Sequence, residues 1–202
     1  MSPSIEQDIK GQFAKYFETN DWRTFKKAGE YYLENAARIV TNDIRYEVKP
    51  FKLLRRNTQK RLYIGIACEL LLKSLFLKNG YCINKPKGNI TEKYPYLLSR
   101  IRKDDFDIND TWGFDRLMQG VYEICDFGSD KPIVDRGFRI AKVFRNKEGH
   151  VAVLFHDYKA QNYRDIEKAL TAFYRSAFLE NLKIKFSVGR NEEAEFEIKN
   201  IH

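Results

Sequence analysis

The sequence predicts a mainly α-helical bundle that ends in a small β-hairpin. Apolar residues recur at three- and four-residue spacing along most of the chain. One segment, 55–78, is apolar on almost every face, and beyond residue 183 the period falls to two. With 202 residues, 43% hydrophobic and 14% aromatic, the chain can bury the core of one compact domain and is not a disordered one. Its five prolines and eleven glycines are scattered, and no linker, internal repeat or low-complexity tract divides it.

The elements are expected in this order. A helix from Ser4 to about Phe17 carries Ile5, Ile9, Phe13 and Phe17 at helical spacing. A second runs from about Asp21 to Arg45, with Phe25, Ala28, Tyr32, Ala36 and Ile39 along one stripe. The third, about Arg55 to Lys78, is the most apolar and therefore central, and Asn79-Gly80 stops it. Residues 85–110, with Pro86, Gly88 and Pro95, are expected to be mostly loop with a short helix near Tyr96–Arg102. Helices follow at about Trp112–Cys125 and Asp135–Arg145. The last helix begins near Asn162, which would cap it with Asp165 at the third position. Ile184, Phe186 and Val188, the turn Gly189-Arg190-Asn191, and Ala194, Phe196 and Ile198 then form the hairpin. The whole is expected to be one domain, 1–202, with a helical extension at 1–48, a core at 55–182 and a hairpin appendage at 183–199.

Composition narrows the function. Cys68, Cys82 and Cys125 are odd in number and lack metal-ligand spacing; Cys68 and Cys125 sit in apolar helical patterns and are expected to be core residues. No disulfide framework is expected, which suits the cytoplasm. The first residues are polar and acidic, unlike a signal peptide, and Glu69 and Lys73 interrupt the longest apolar run, so no membrane span is expected. The net charge of +8 is uneven, for fourteen cations between Lys49 and Lys103 face only Glu69 and Glu92. Such a zone suits a polyanion, whose phosphates release counterions when neutralised. A solvated basic surface is the alternative.

The chain has no phosphate-binding glycine loop, no Gly-x-Ser-x-Gly and no His-Glu-x-x-His, and its three histidines cannot cluster into a zinc site. No metal and no cofactor are expected. His202 at the end is expected to be solvated and His156, after Val153-Leu154-Phe155, to be packed or at a solvent edge. His150 closes the run Arg145-Asn146-Lys147-Glu148-Gly149-His150. A helix ending near Arg145 would make 146–149 a tight turn, eased by Gly149, and bring His150 back beside Arg145. An imidazole that titrates near neutrality would then stand beside a permanent planar cation. RNA cleavage needs that pair, one group to move the 2′-hydroxyl proton and one to hold the phosphate oxygens. As a bare spacing, Arg-x4-His is close to noise; Asn146 and the rest of the chain give it weight.

The run Ile64-Gly-Ile-Ala-Cys-Glu-Leu-Leu-Leu-Lys-Ser-Leu-Phe-Leu-Lys-Asn-Gly80 strongly resembles the central helix of HEPN domains, with its acidic residue and a lysine one turn later. Arg145-Asn146-x-x-x-His150 resembles that family's catalytic signature and lies downstream where it is expected. The resemblance covers about 55–182 and implies a HEPN-like helical bundle with metal-independent endoribonuclease activity. Arg145 and His150 would be catalytic, Asn146 a polar assistant and Glu69 the helix carboxylate bordering the site. Lys73, Lys142 and Lys147 would contact the substrate. The resemblance also implies RNA as substrate, a homodimer with a composite cleft, an antitoxin or other regulatory protein partner, and a toxin–antitoxin, phage-defence or stress role. The bland reading of Glu69 and Lys73 is an i,i+4 ion pair.

Two departures stand out. Family toxins silenced by adenylylation carry a tyrosine two residues after the histidine, where this chain has Ala152. The glycine that often follows the histidine is Val151. A non-catalytic HEPN-like module that binds nucleic acid, a nucleotide or a partner protein is the alternative reading, and an ordinary helical interaction domain with Arg145 and His150 pointing apart is a third.

Overall fold

The computed structural model describes residues 21–40, 50–150, 159–189 and 192–201, with the backbone alone at 50–54, 108–109 and 147–150. The mainly helical fold with a C-terminal hairpin is observed: among the described residues there are five α-helices and two two-stranded antiparallel sheets. The helices are α1 (Trp22–Arg38), α2 (Pro50–Lys78), α3 (Phe114–Ile124), α4 (Lys131–His150) and α5 (Ala160–Phe178). The strands are β1 (Asn84–Pro86), β2 (Phe106–Thr111), β3 (Glu180–Lys185) and β4 (Glu195–Asn200). The helix expected over Ser4–Phe17 lies outside the described residues.

The chain divides into two compact units, with the boundaries inside α1 and α2. One comprises residues 21–26 and Leu71–Ile124. Here α2 ends at Lys78 as its sequence announces, with Gly80 at φ +75° reversing the chain. The loop expected over 85–110 instead contains β1 and β2, which pair Asn84 with Thr111 and Pro86 with Phe106 across an irregular register. A strand as short as β1, three residues, leaves almost no period-two signal. The short helix expected near Tyr96–Arg102 is a single 3-10 turn, Leu98–Arg100, and a second, Lys103–Asp105, follows it. Cys82, Tyr96 and Phe106 form the buried cluster beneath them.

The other unit takes Lys27–Leu70 and Cys125–His202 among the described residues. Leu33, Ile64, Ala67, Cys68, Phe138, Phe144, Phe173 and Tyr174 make its core. Cys125, expected in the core, is only half-buried and follows the end of α3. Gly137 lets α4 and α5 touch, since a Cβ there would lie 2.7 Å from the Asp165 carbonyl oxygen.

The last helix opens differently from the expectation. It starts at Ala160 with Lys159 before it and no side-chain cap, while Asp165 accepts from Gln161 and Arg136, both at 2.8 Å. Its far end reverses at Leu179, φ +57°, a left-handed position without the usual glycine. That reversal starts β3 at once, in the register Leu182↔Ile198 and Ile184↔Phe196. The connection spans 186–194 and not a three-residue turn. Leu182 and Phe186 are fully buried, so β3 and its exit are core elements of this unit.

Candidate active site

Glu69 is the polar interruption of α2, the helix whose Ile64, Ala67, Cys68, Leu71 and Leu72 are buried all round it. A carboxylate in such a place needs a partner. It has one in Arg145 of α4, whose Nε donates to Glu69 Oε2. The Glu69 side chain is 11% exposed and that of Arg145 39%, so the carboxylate is held inside while the guanidinium reaches solvent.

Gly65 makes this pairing possible. A Cβ at position 65 would stand 2.5 Å from the Arg145 Cβ and 2.7 Å from its Cα and backbone nitrogen. The backbone of α4 therefore rests directly on α2 at Gly65. Glu69, four residues on, lies one turn further along the same face and meets the side chain of the same arginine. Sequence reading missed Gly65, although a glycine in the middle of so apolar a helix, at a helix propensity cost of about 1 kcal/mol, is itself a signal of close approach.

The turn expected over 146–149 is absent. The α4 helix continues through to His150. Arg145, Lys147 and Glu148 are good helix formers, and one glycine near a helix end does not break it. Five residues of α-helix separate positions 145 and 150 by about 7.5 Å along the axis and about 140° around it. The two positions therefore do not fall on one face of α4. Asn146 and His150 do, being four apart.

Asn146 and Lys142 are half-buried on α4, and Lys147 continues the helix. Lys73 is on α2, and its Nζ donates to Thr111 Oγ1 at 2.9 Å, in the unit that holds β2. The geometry thus joins Glu69 to Arg145 and sends Lys73 to a different partner. The basic zone is likewise not one surface. Lys60 is 0% and Arg61 4% exposed, and Lys85 pairs with Asp110 at 2.8 Å. His156, Val151 and Ala152 lie outside the described residues. Among the described residues no cluster of His, Cys, Asp and Glu has metal-binding geometry, and no helix is long and apolar enough to cross a membrane.

Compared with protein-family models, curated proteins and solved structures, the chain matches none significantly.

Proposed function

We propose that the chain is a metal-independent endoribonuclease of the HEPN type. It acts in the cytoplasm as a homodimer in a toxin–antitoxin, phage-defence or stress-response system, under an antitoxin or other regulatory partner. The observation that carries this reading is the Arg145–Glu69 pair. It links the two parts of the sequence on which the resemblance rests, the acidic residue of the central helix and the arginine of the downstream motif. Glu69 holds the guanidinium through Nε, and Arg145 remains exposed enough to meet an anion.

In the proposed reaction the RNA 2′-oxygen attacks phosphorus and the bond to the 5′-oxygen breaks. The 2′-hydroxyl proton passes to one imidazole, and the leaving oxygen takes a proton from another. Arg145 holds the non-bridging oxygens as charge builds on them. Asn146, one turn before His150, orients the imidazole, while Lys142 and Lys147 hold phosphates. Because the 2′-hydroxyl is the nucleophile, no metal-activated water is needed. One His per chain cannot serve both sides of a phosphate, which is the reason for a two-fold dimer. On α4, position 150 follows Val143, which is 40% exposed, by one heptad, so those two positions share a side of the helix.

The purified protein should cut single-stranded RNA in excess chelator and leave 2′,3′-cyclic phosphate ends. His150→Ala should lower the rate by about 100-fold or more. Cleavage by that variant at the parent rate would refute the proposal. The continuous α4 favours a second reading, since it sets positions 145 and 150 of one chain on different faces. A non-catalytic module would bind several RNAs, a nucleotide or a protein, and cut none.

A further inference from the structure

The unit built on β1 and β2 has a cleft of its own, lined by none of the residues of the 145–150 motif. It occupies about 540 Å³ between the 87–92 loop and the two 3-10 turns that lead into β2. The Lys87 N–H donates to the Asp105 carbonyl at 2.8 Å and fastens its rim, and buried Phe106 lies at its base. Its size is that of a small-molecule site.

The lining has three chemistries. Lys87, Arg100 and Arg102 are exposed, and among the described residues none of their side chains forms an ion pair. Glu92, Asp104 and Asp105 supply an equal number of carboxylates. Half-buried Ile90 and Ile101 supply apolar surface. A featureless polyanion would meet as many repulsive charges as attractive ones. A ligand with an anion at one end, hydroxyl or amino donors in the middle and a flat apolar ring matches all three. Guanidinium groups take phosphate oxygens in a fork, carboxylates take ribose hydroxyls, and isoleucines cover a base.

We propose that this cleft binds a nucleotide, free or as the 5′-phosphorylated end of an RNA chain. Lys87, Arg100 and Arg102 hold the phosphate, Asp104 and Asp105 the ribose, and Ile90 and Ile101 the base. The site does not depend on the ribonuclease reading and would stand if the chain cut no RNA. It also uses three cations of the basic zone that lie at the surface.

The test is calorimetric titration of the full chain with the four nucleoside 5′-monophosphates, inorganic phosphate, and a trinucleotide with and without its 5′-phosphate. One saturable site is expected, weakened about tenfold or more by Arg100→Ala or Arg102→Ala, as loss of a charge-assisted contact implies. Asp105→Asn should weaken ribonucleotides more than 2′-deoxynucleotides. Tighter binding of the phosphorylated trinucleotide than of any monophosphate would identify the RNA end as the source, and the reverse a free nucleotide. No saturable binding at millimolar ligand would overturn the proposal. So would unchanged affinity in the arginine variants, or inorganic phosphate competing mole for mole. These side chains are exposed, so the variants should fold, which far-ultraviolet circular dichroism checks. His150→Ala should keep this binding, so the site and the cleavage reading fail separately.

Discussion

Arg145 donates through Nε to Glu69, and its backbone rests on Gly65 one turn earlier along the same helix. One arginine is thus fixed at both ends by α2. Replacing Glu69 by alanine should cost about 1 kcal/mol of stability, a modest figure because the arginine end of the pair is screened by solvent. Under the proposed mechanism Glu69→Ala should slow RNA cleavage much more than this loss implies, because the guanidinium loses its anchor. Glu69→Asp should recover part of the rate. Urea denaturation and cleavage assays on the same samples separate the two effects. Equal stability and equal rate in Glu69→Ala would remove the pair from both roles.

Gly65→Ala sets two effects against each other. Alanine favours a helix interior by about 1 kcal/mol over glycine. The new Cβ would meet Arg145 Cα and backbone nitrogen at 2.7 Å, atoms that cannot move without shifting α4. Overpacking of this kind costs about 1–3 kcal/mol, so the net change should be destabilising. Thermal unfolding should show a lower Tm in Gly65→Ala. A raised Tm would mean that the two helices separate freely at this point.

The helices of this fold are legible because a stripe such as Ile166, Ala169 and Phe173 repeats every turn and declares its buried face. The hairpin is legible because Ile184, Phe196 and Ile198 alternate with polar residues, whereas Phe186, Val188 and Ala194, which continue the alternation, lie outside the strands. What escaped the sequence was decided elsewhere. β1 is three residues long, its pairing with β2 set by contacts between residues as far apart as Asn84 and Thr111. The end of α4 was misplaced because Gly149 suggests a turn over 146–149 after a helix ending near Arg145, whereas its neighbours favour helix strongly enough to carry the chain past it. At the candidate site Glu69 and Arg145 could each be singled out, as a charge in an apolar helix and as the head of a motif. Their union could not, because it depends on the missing side chain at Gly65. Lys60 was counted as one cation of a surface zone, and only tertiary structure shows it buried.

Lys60 is the basis of a pH prediction. Its Nζ donates to the Ser187 and Ile39 carbonyls at 2.5 and 2.9 Å, and lies over the rings of Tyr163 and Phe186. Burial pushes its pKa down to about 7 from 10.5, opposed in part by the carboxylates of Glu167 and Glu192. Arg164 on α5 also acts on Glu167, whose own pKa is raised chiefly by burial. Between about pH 7 and 10.5 the unfolded chain therefore binds the Lys60 proton while the folded chain sheds it. The contribution of Lys60 to stability should rise with pH across that window and be flat below it. Urea midpoints at intervals from pH 6.5 to about 9.5 should climb in the parent and climb less in Lys60→Met. Parallel curves would mean that Lys60 titrates alike in both states.

The hairpin, too, makes a sharp prediction, because the two faces of β3 have different neighbours. Leu182 is 1% exposed, packed among the core residues of its unit, and Thr171 Oγ1 of α5 donates to its carbonyl at 3.1 Å. Lys183, the next residue, points to the opposite face with 61% of its side chain exposed, near Glu197 at 3.8 Å. Leu182→Ala should cost about 2–4 kcal/mol, the transfer energy of the lost methyl groups plus a cavity between β3 and α5. Lys183→Ala should stay within about 0.5 kcal/mol, since exposed ion pairs contribute little. Chemical denaturation of the two variants tests whether the hairpin belongs to the core. An appendage would tolerate both changes alike, whereas a strand that closes the helical core tolerates only the second.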